Sequence, residues 1–379
     1  MTEHKRKKIG ILFNFRKGWM GGIIYIINLV NTLNFLDESE QPDIVLLYNP
    51  DLKEFLPQMK YPRLTLVEWN FPGVYGGFVK TWLTRKNVFV DEAIRHFRLD
   101  GVYPSNDRPI HDNYPGVKVV GWIPDLQHKF YPHFFGAKRT FLREQRIRLF
   151  LKNATDLAVS SHDVENHFRR FYQIKPSLRI HKLRFVSIID NFEFPSLETL
   201  RERYKIPAGY FIVSNQFTNH KNHFAVLEAL KILKASGSEA HVVFTGKMEF
   251  KGNEAYIKRI REMVTEFGIT DRVSFLGVIP RQDQLGLMKH SIAVVQPSLF
   301  EGWSTVIEDA KSLQVPVIAS NLDVNIEQVG DTASFFDPHN YGELADLLRE
   351  SHLRHPVCNY PPYEGRVKDF ARDFIKIFQ

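Results

Sequence analysis

The chain has 379 residues, 50 Lys and Arg against 43 Asp and Glu, and a formal net charge of +7. That length supports two domains with separate cores, and a single cysteine, Cys358, excludes an internal disulfide and fits a reducing compartment. The apolar run Ile9 to Phe13 behind the basic start is too short for a signal-peptide core, and no stretch approaches the ~20 apolar residues of a membrane span, so the expected location is cytoplasmic, with at most peripheral contact at the inner face of the cell membrane.

Strand-like and helix-like segments alternate along the chain. The first half offers strands at Ile9 to Phe13, Ile44 to Tyr48, Leu64 to Val67, Val117 to Val120 and Leu157 to Ser160. The second half offers Tyr210 to Val213, Val242 to Thr245, Val273 to Leu276, Ile292 to Val295 and the run from Pro316, with Asp337 to Asn340 closing a later strand. Short, continuously apolar runs separated by helices indicate parallel strands buried on both faces. The expected class is α/β, with two Rossmann-like doubly wound domains. The join falls near Asp190 to Gly209, where Pro195 and Pro207 punctuate polar sequence, and Val367 to Phe378 reads as a closing helix.

Ligands of open α/β sheets bind beyond the carboxyl ends of the strands, and the polar motifs fall there. After the first strand comes Gly18-Trp19-Met20-Gly21-Gly22, where Gly21 and Gly22 would let backbone approach a phosphate or a sugar. No Gly-x-Gly-x-x-Gly occurs at that turn, which argues against a nicotinamide enzyme. Trp122 to His133 is a second polar loop, carrying His128 and, three residues before it, Asp125 as a candidate to orient its ring. Ser214 to His223 carries Gln216 and Lys221, and the turn after the strand at Val273 offers the backbone of Gly277 and Val278.

The most informative stretch is Ser298-Leu-Phe-Glu-Gly-Trp-Ser-Thr-Val-Ile-Glu-Asp-Ala310. Glu301 can accept bonds from hexose hydroxyls, and the Gly302, Trp303, Ser304 and Thr305 backbone leads into a helix whose free N–H groups can face a diphosphate. A capping-box reading takes Thr305 as the N-cap with Glu308 reaching back to it. Helical projection then leaves Asp309 at the rim of the buried face and Glu308 well away from it, so Asp309 is the carboxylate expected at the ribose.

This stretch resembles the donor loop of the retaining glycosyltransferases of the GT-B fold, in the large glycosyltransferase family numbered four. The resemblance extends over the C-terminal half and implies two domains facing across a cleft: residues 1–190 on the acceptor side, 191–360 for the donor, and 361–379 as a helix crossing back to the first domain. It implies catalytic roles for Glu301, Lys221 and His128, with Lys221 neutralising the leaving diphosphate. The family pattern is a Glu, seven intervening residues and a second Glu. Here the second acid is Asp309, one methylene shorter, and Gln216 stands where many relatives carry an Arg.

The resemblance implies hexose transfer, of mannose, fucose or a similar sugar, from a GDP- or UDP-linked donor to a glycan or lipid-linked acceptor in surface polysaccharide synthesis. No Asp-x-Asp motif and no His/Cys set with ligand spacing occurs, so neither metal nor cofactor is expected. Two alternatives stay open: a sugar-nucleotide epimerase or hydrolase of the same architecture, and a non-catalytic sugar-nucleotide-binding subunit. The basic excess collects at Lys138, Arg139, Arg143, Arg146, Arg148 and Lys152, and again in Phe78 to Lys86, either of which could meet an anionic membrane surface. No aromatic-basic module of nucleic-acid binders is present.

Overall fold

The computed structural model describes residues 6–111, 114–190, 192–354 and 356–379. The chain divides into two compact units, Met1–Val186 with Glu364–Gln379, and Ser187–Tyr363.

The first unit contains β1 (Lys8–Phe13), β2 (Asp43–Tyr48), β3 (Leu64–Glu68), β4 (Gly101–Tyr103), β5 (Lys118–Trp122), β6 (Asp156–Val159) and β7 (Arg179–Lys182). They form one parallel sheet in the order β3-β2-β1-β4-β5-β6-β7. Its helices are α1 (Met20–Thr32), α2 (Val74–Thr84), α3 (Asp91–Phe97), α4 (Gln127–Phe130), α5 (Ala137–Asn153) and α6 (His162–Phe171). Two of the seven strands, β4 and β7, were not expected from the sequence. The first is only three residues long, and the second reads Arg-Ile-His-Lys, the polar pattern of an edge strand with one face in water.

The second unit repeats the plan with β8 (Phe211–Ser214), β9 (Val242–Thr245), β10 (Val273–Gly277), β11 (Val294–Gln296), β12 (Val317–Ser320) and β13 (Ser334–Phe336). Their order is β10-β9-β8-β11-β12-β13, again parallel. Between them run α7 (Leu197–Tyr204), α8 (His223–Ala235), α9 (Glu254–Glu266), α10 (Arg281–Lys289), α11 (Thr305–Leu313), α12 (Asp323–Val329) and α13 (Tyr341–Arg354). Alternate residues of each central strand point to opposite faces. Phe211, Val213 and Phe244 therefore pack with α8 and α9, while Ile212, Val243 and Val294 pack with α10 and α11.

The last helix, α14 (Tyr363–Lys376), lies in the first unit apart from its opening residue. Thr32 Oγ1 donates to the Val367 carbonyl at 2.9 Å, Phe374 meets the Tyr103 ring edge-on, and Phe378 lies so close over Gly101 that a Cβ there would fall 2.2 Å from its ring. The open sheet of each unit reverses its winding once, between β1 and β4 and between β8 and β11. Those switch points are where such sheets leave room for a ligand beyond the carboxyl ends of the strands.

Candidate active site

At the switch point of the second unit, the loop after β8 and the loop after β11 are stitched by a main-chain bond from Leu299 N–H to the His220 carbonyl, 2.7 Å. Asn222 takes a left-handed conformation at the start of α8, and its side chain donates to the Pro338 carbonyl at 3.1 Å, which fixes the turn that presents Lys221. Lys221 Nζ donates to Oε1 of Glu301 at 2.6 Å, joining residues 80 positions apart. Gln296, the last residue of β11, donates to the same oxygen at 2.7 Å and to Ser298 Oγ at 3.1 Å. Its side-chain oxygen Oε1 accepts from Asn215 Nδ2 at 2.9 Å, which fixes which way the amide faces.

Glu301 is 9% exposed, so it does not stand in open solvent as a cleft residue would. Burial alone would push its carboxyl up. The Lys221 charge, the neighbouring His220 and hydrogen bonds from Lys221 and Ser298 outweigh burial and hold it below the ordinary value. It is therefore an ionised acceptor at neutral pH.

Ser304, not Thr305, caps α11: its hydroxyl accepts from Ile307 N–H at 3.3 Å, and the helix begins at Thr305. The expected capping box is thus displaced by one residue, which removes Glu308 from the third helical position. Glu308 is buried, contrary to its place in the helical projection, because α12 covers that side of the helix. Its Oε1 accepts from Lys311 and from Gln328, each at 2.9 Å, and Gln328 also bonds the Ser304 carbonyl at 2.8 Å and the Ser304 N–H at 3.0 Å. Trp303 lies beside this lysine, with Lys311 Nζ 5.9 Å from the ring centroid.

Asp309 is also buried, and both of its oxygens are taken by Arg281, at 2.5 and 2.9 Å. Arg281 opens α10, reached from β10 through the Gly277-Val278 turn. Gln284, on the next turn, accepts from Arg281 at 3.0 Å and donates to Ser214, which pairs with Thr245 at 2.8 Å. A continuous polar band therefore runs across the carboxyl ends of β8 and β9 to α10 and α11. Gly277 has φ +66°, Val278 is exposed, and Gly246 N–H donates to the Gly277 carbonyl at 2.8 Å. Gly246 itself cannot be replaced without movement, since a Cβ would sit 2.2 Å from the Asn215 carbonyl oxygen.

Gly21, Gly22 and His128 belong to the first unit. Gly21 and Gly22 are not part of an open turn: α1 begins at Met20, and the Trp19 ring lies on Gly22, where a Cβ would meet it at 2.6 Å. Asp125 does not orient His128. It accepts from Gln127 N–H at 2.9 Å and pairs with Arg143 at 3.0 Å, whereas the buried His128 faces Glu144, Nε2 to Oε2 3.4 Å. Burial and the Arg143 charge lower the imidazole below its ordinary value against the pull of Glu144. The ring borders a cavity of about 570 Å3 that Lys129, His133, Glu144 and Arg148 also line.

The residues missed from sequence are Asn215, Gln296, Arg281, Gln328 and Gly246. Gln296 had a readable signal, a polar residue ending an otherwise apolar strand just before Pro297. Gln328 and Arg281 had none, because their partners come from distant segments.

An anionic carboxylate held by a lysine at the switch point of a doubly wound sheet, beside a helix N-terminus, can accept from the hydroxyls of a ligand while the lysine and the free N–H groups face an anion. Residues 198–357 match the model of the family Glycosyl transferases group 1. An uncharacterized glycosyltransferase of Methanocaldococcus jannaschii is 24% identical over 266 residues, 68% of this chain and 58% of that one. The O-antigen chain mannosyltransferase RfbU of Salmonella typhimurium is 22% identical over 216 residues, 57% of this chain and 56% of that one. The chain thus spans little more than half the length of these relatives. The structure of Anabaena HepE in complex with UDP and glucose has the same fold, with a TM-score of 0.65 at 16% identity over 98% of this chain and 96% of that one.

Proposed function

We propose that the chain is a retaining hexosyltransferase that uses a nucleoside-diphosphate sugar, independent of a divalent ion, to extend a glycan or lipid-linked acceptor of a surface polysaccharide. The observation that carries this reading is the Lys221–Glu301 pair at the β8/β11 switch point. An ammonium has three donors. With one on Glu301, the others can meet the oxygens of a departing diphosphate, and the first N–H groups of α11 offer the same anion a second set of donors. Glu301, ionised and steadied by Gln296, accepts from hexose hydroxyls and holds the anomeric carbon in place, so catalysis is positioning and leaving-group stabilisation. The Gly277-Val278 main chain borders the base, and Asp309 with Arg281 lies on the ribose side.

The test is a thermal-shift series with UDP, GDP, TDP and CMP, each with and without EDTA, followed by nucleoside-diphosphate release from sugars of the nucleotide that binds. Binding to the folded state raises its melting temperature by mass action, about 2.7 kcal/mol at a hundred times the Kd. One diphosphate is expected to shift the transition equally in EDTA, and its sugar to turn over when a glycan acceptor is added. No shift with any nucleotide would overturn the reading, and binding without turnover across a broad acceptor panel would favour a non-catalytic subunit.

A further inference from the structure

Helix α2 presents large apolar side chains to solvent. Tyr75 is 70% exposed, Val79 53%, Trp82 48% and Leu83 80%. At 100° per residue these four fall within about 100° of arc, a single stripe along the helix. The opposite face is firmly seated: Gly77 lies so close to the Phe89 ring that a Cβ would meet it at 2.3 Å, and buried Thr81 accepts from Val88 N–H at 3.3 Å. Trp82 is held in its outward position by an edge contact with Phe78 and by its indole N–H, which donates to the Pro109 carbonyl at 3.2 Å. The stripe is thus a fixed surface.

Its charge is one-sided. Lys80 borders the stripe and Arg85 and Lys86 follow the helix end, all three exposed, with no acidic residue anywhere from Val74 to Lys86. Among the described residues none of the three meets a carboxylate. Helix α5, the other basic segment, leaves Lys138, Arg139 and Lys152 without a carboxylate among the described residues too, but it pairs its remaining cations and carries no apolar stripe. Its Arg143, Arg146 and Arg148 are paired with Asp125, Asp107 and Glu144 at 3.0, 2.7 and 2.8 Å, and its one large exposed apolar residue is Phe141.

We infer that α2 docks the protein on an anionic lipid surface, lying in the interfacial plane with Tyr75, Val79, Trp82 and Leu83 among the acyl chains and Lys80, Arg85 and Lys86 at the phosphates. An apolar stripe with unpaired cations beside it is the pattern of an in-plane helix, and a tryptophan suits the boundary between headgroups and chains. A second copy is a poorer occupant, since a two-fold contact of α2 with itself would bring three cations against three with no acid to answer them. This deepens the reading of a lipid-linked acceptor, but it stands on the surface alone. No helix among the described residues is long and apolar enough to cross a membrane.

The experiment is co-sedimentation of the full chain with vesicles of phosphatidylcholine alone and of equimolar phosphatidylcholine and phosphatidylglycerol. The protein is expected to sediment with the mixed vesicles, to be released by salt, and to stay in solution with phosphatidylcholine. Replacing Lys80, Arg85 and Lys86 together by Ala should weaken binding on the order of a hundredfold, about fivefold per cation. Leu83→Asp and, separately, Tyr75→Ser should weaken it with an unchanged melting temperature, because both side chains point into solvent. No sedimentation of the wild type, wild-type binding by Leu83→Asp, or a solution dimer that Leu83→Asp dissociates would each overturn the inference. Vesicle binding needs no sugar nucleotide, so it can fail while the nucleotide thermal shift holds, and the reverse.

Discussion

Arg281 occupies both carboxylate oxygens of Asp309, the residue that stands where the family pattern has its second Glu. The shorter acid is matched by a guanidinium fork. Removing either partner has unequal effects. Arg281→Met leaves a buried carboxylate unpaired and should cost about 3 kcal/mol. Asp309→Ala leaves an arginine that still reaches water and should cost less. Urea unfolding of the two variants checks the order, and if Asp309 serves the ribose, the 2′-deoxy form of the preferred diphosphate should bind more weakly than the ribonucleotide in the wild type but equally in Asp309→Ala.

Glu301→Gln preserves the side-chain volume but loses the ionised acceptor. Transfer should fall by about a hundredfold or more, on the scale seen when one preorganised polar contact to a transition state is removed. The melting temperature should change little, since Lys221, itself partly exposed, can turn to water. Initial rates and circular dichroism on the same preparation separate loss of chemistry from loss of fold.

The carboxyl of Glu301 lies below its ordinary value, so its stabilising contribution is fully present above the unfolded value, about pH 4.3, and is lost as pH falls through the folded one. Lys221→Met removes the charge chiefly responsible for the lowering, leaving burial to push the carboxyl up. The variant should therefore be less stable than the wild type near pH 7, and the difference should shrink as pH falls toward about 4. Melting temperatures across that interval test the sign.

Asn215 and Gln296 act as a pair. Gln296→Leu leaves the Asn215 amide buried without its acceptor, a cost of about 1–3 kcal/mol, and lets the Glu301 carboxylate turn. Turnover should fall more than KM rises. The double change Asn215→Leu with Gln296→Leu should destabilise by less than the sum of the single changes, because the orphaned group disappears with its partner. A double-mutant cycle in urea measures that coupling.

The alternation of apolar runs and helices made both sheets legible, since a strand buried on two faces leaves a run of Val, Ile, Leu and Phe wherever it lies. It failed at β4 and β7, where three residues are too few for a pattern and an edge position relaxes the demand for apolar side chains. Within the candidate site, local loop signatures singled out Glu301 and Lys221, and the structure brings these two side chains into contact. The N-cap was misplaced by one residue because Ser304 and Thr305 are both capping types, and the Gln328 side chain that selects between them is remote in sequence. Asp309 was expected at a rim because projection of one helix carries no information about an arginine arriving from another. The same limit hid the burial of Glu308 beneath α12.

The single oxygen shared by Lys221 and Gln296 bears on how this loop could be moved between proteins. Grafting residues 298–310 onto a foreign scaffold would transfer the acid but leave behind the lysine from the β8 loop, the β11 glutamine that steadies it, and the asparagine that aims that glutamine. The recipient would acquire a carboxylate free to rotate and to take up a proton. Swaps intended to retarget sugar use should exchange β8 through α11 as one block, and a chimera cut inside that block should express well and turn over poorly.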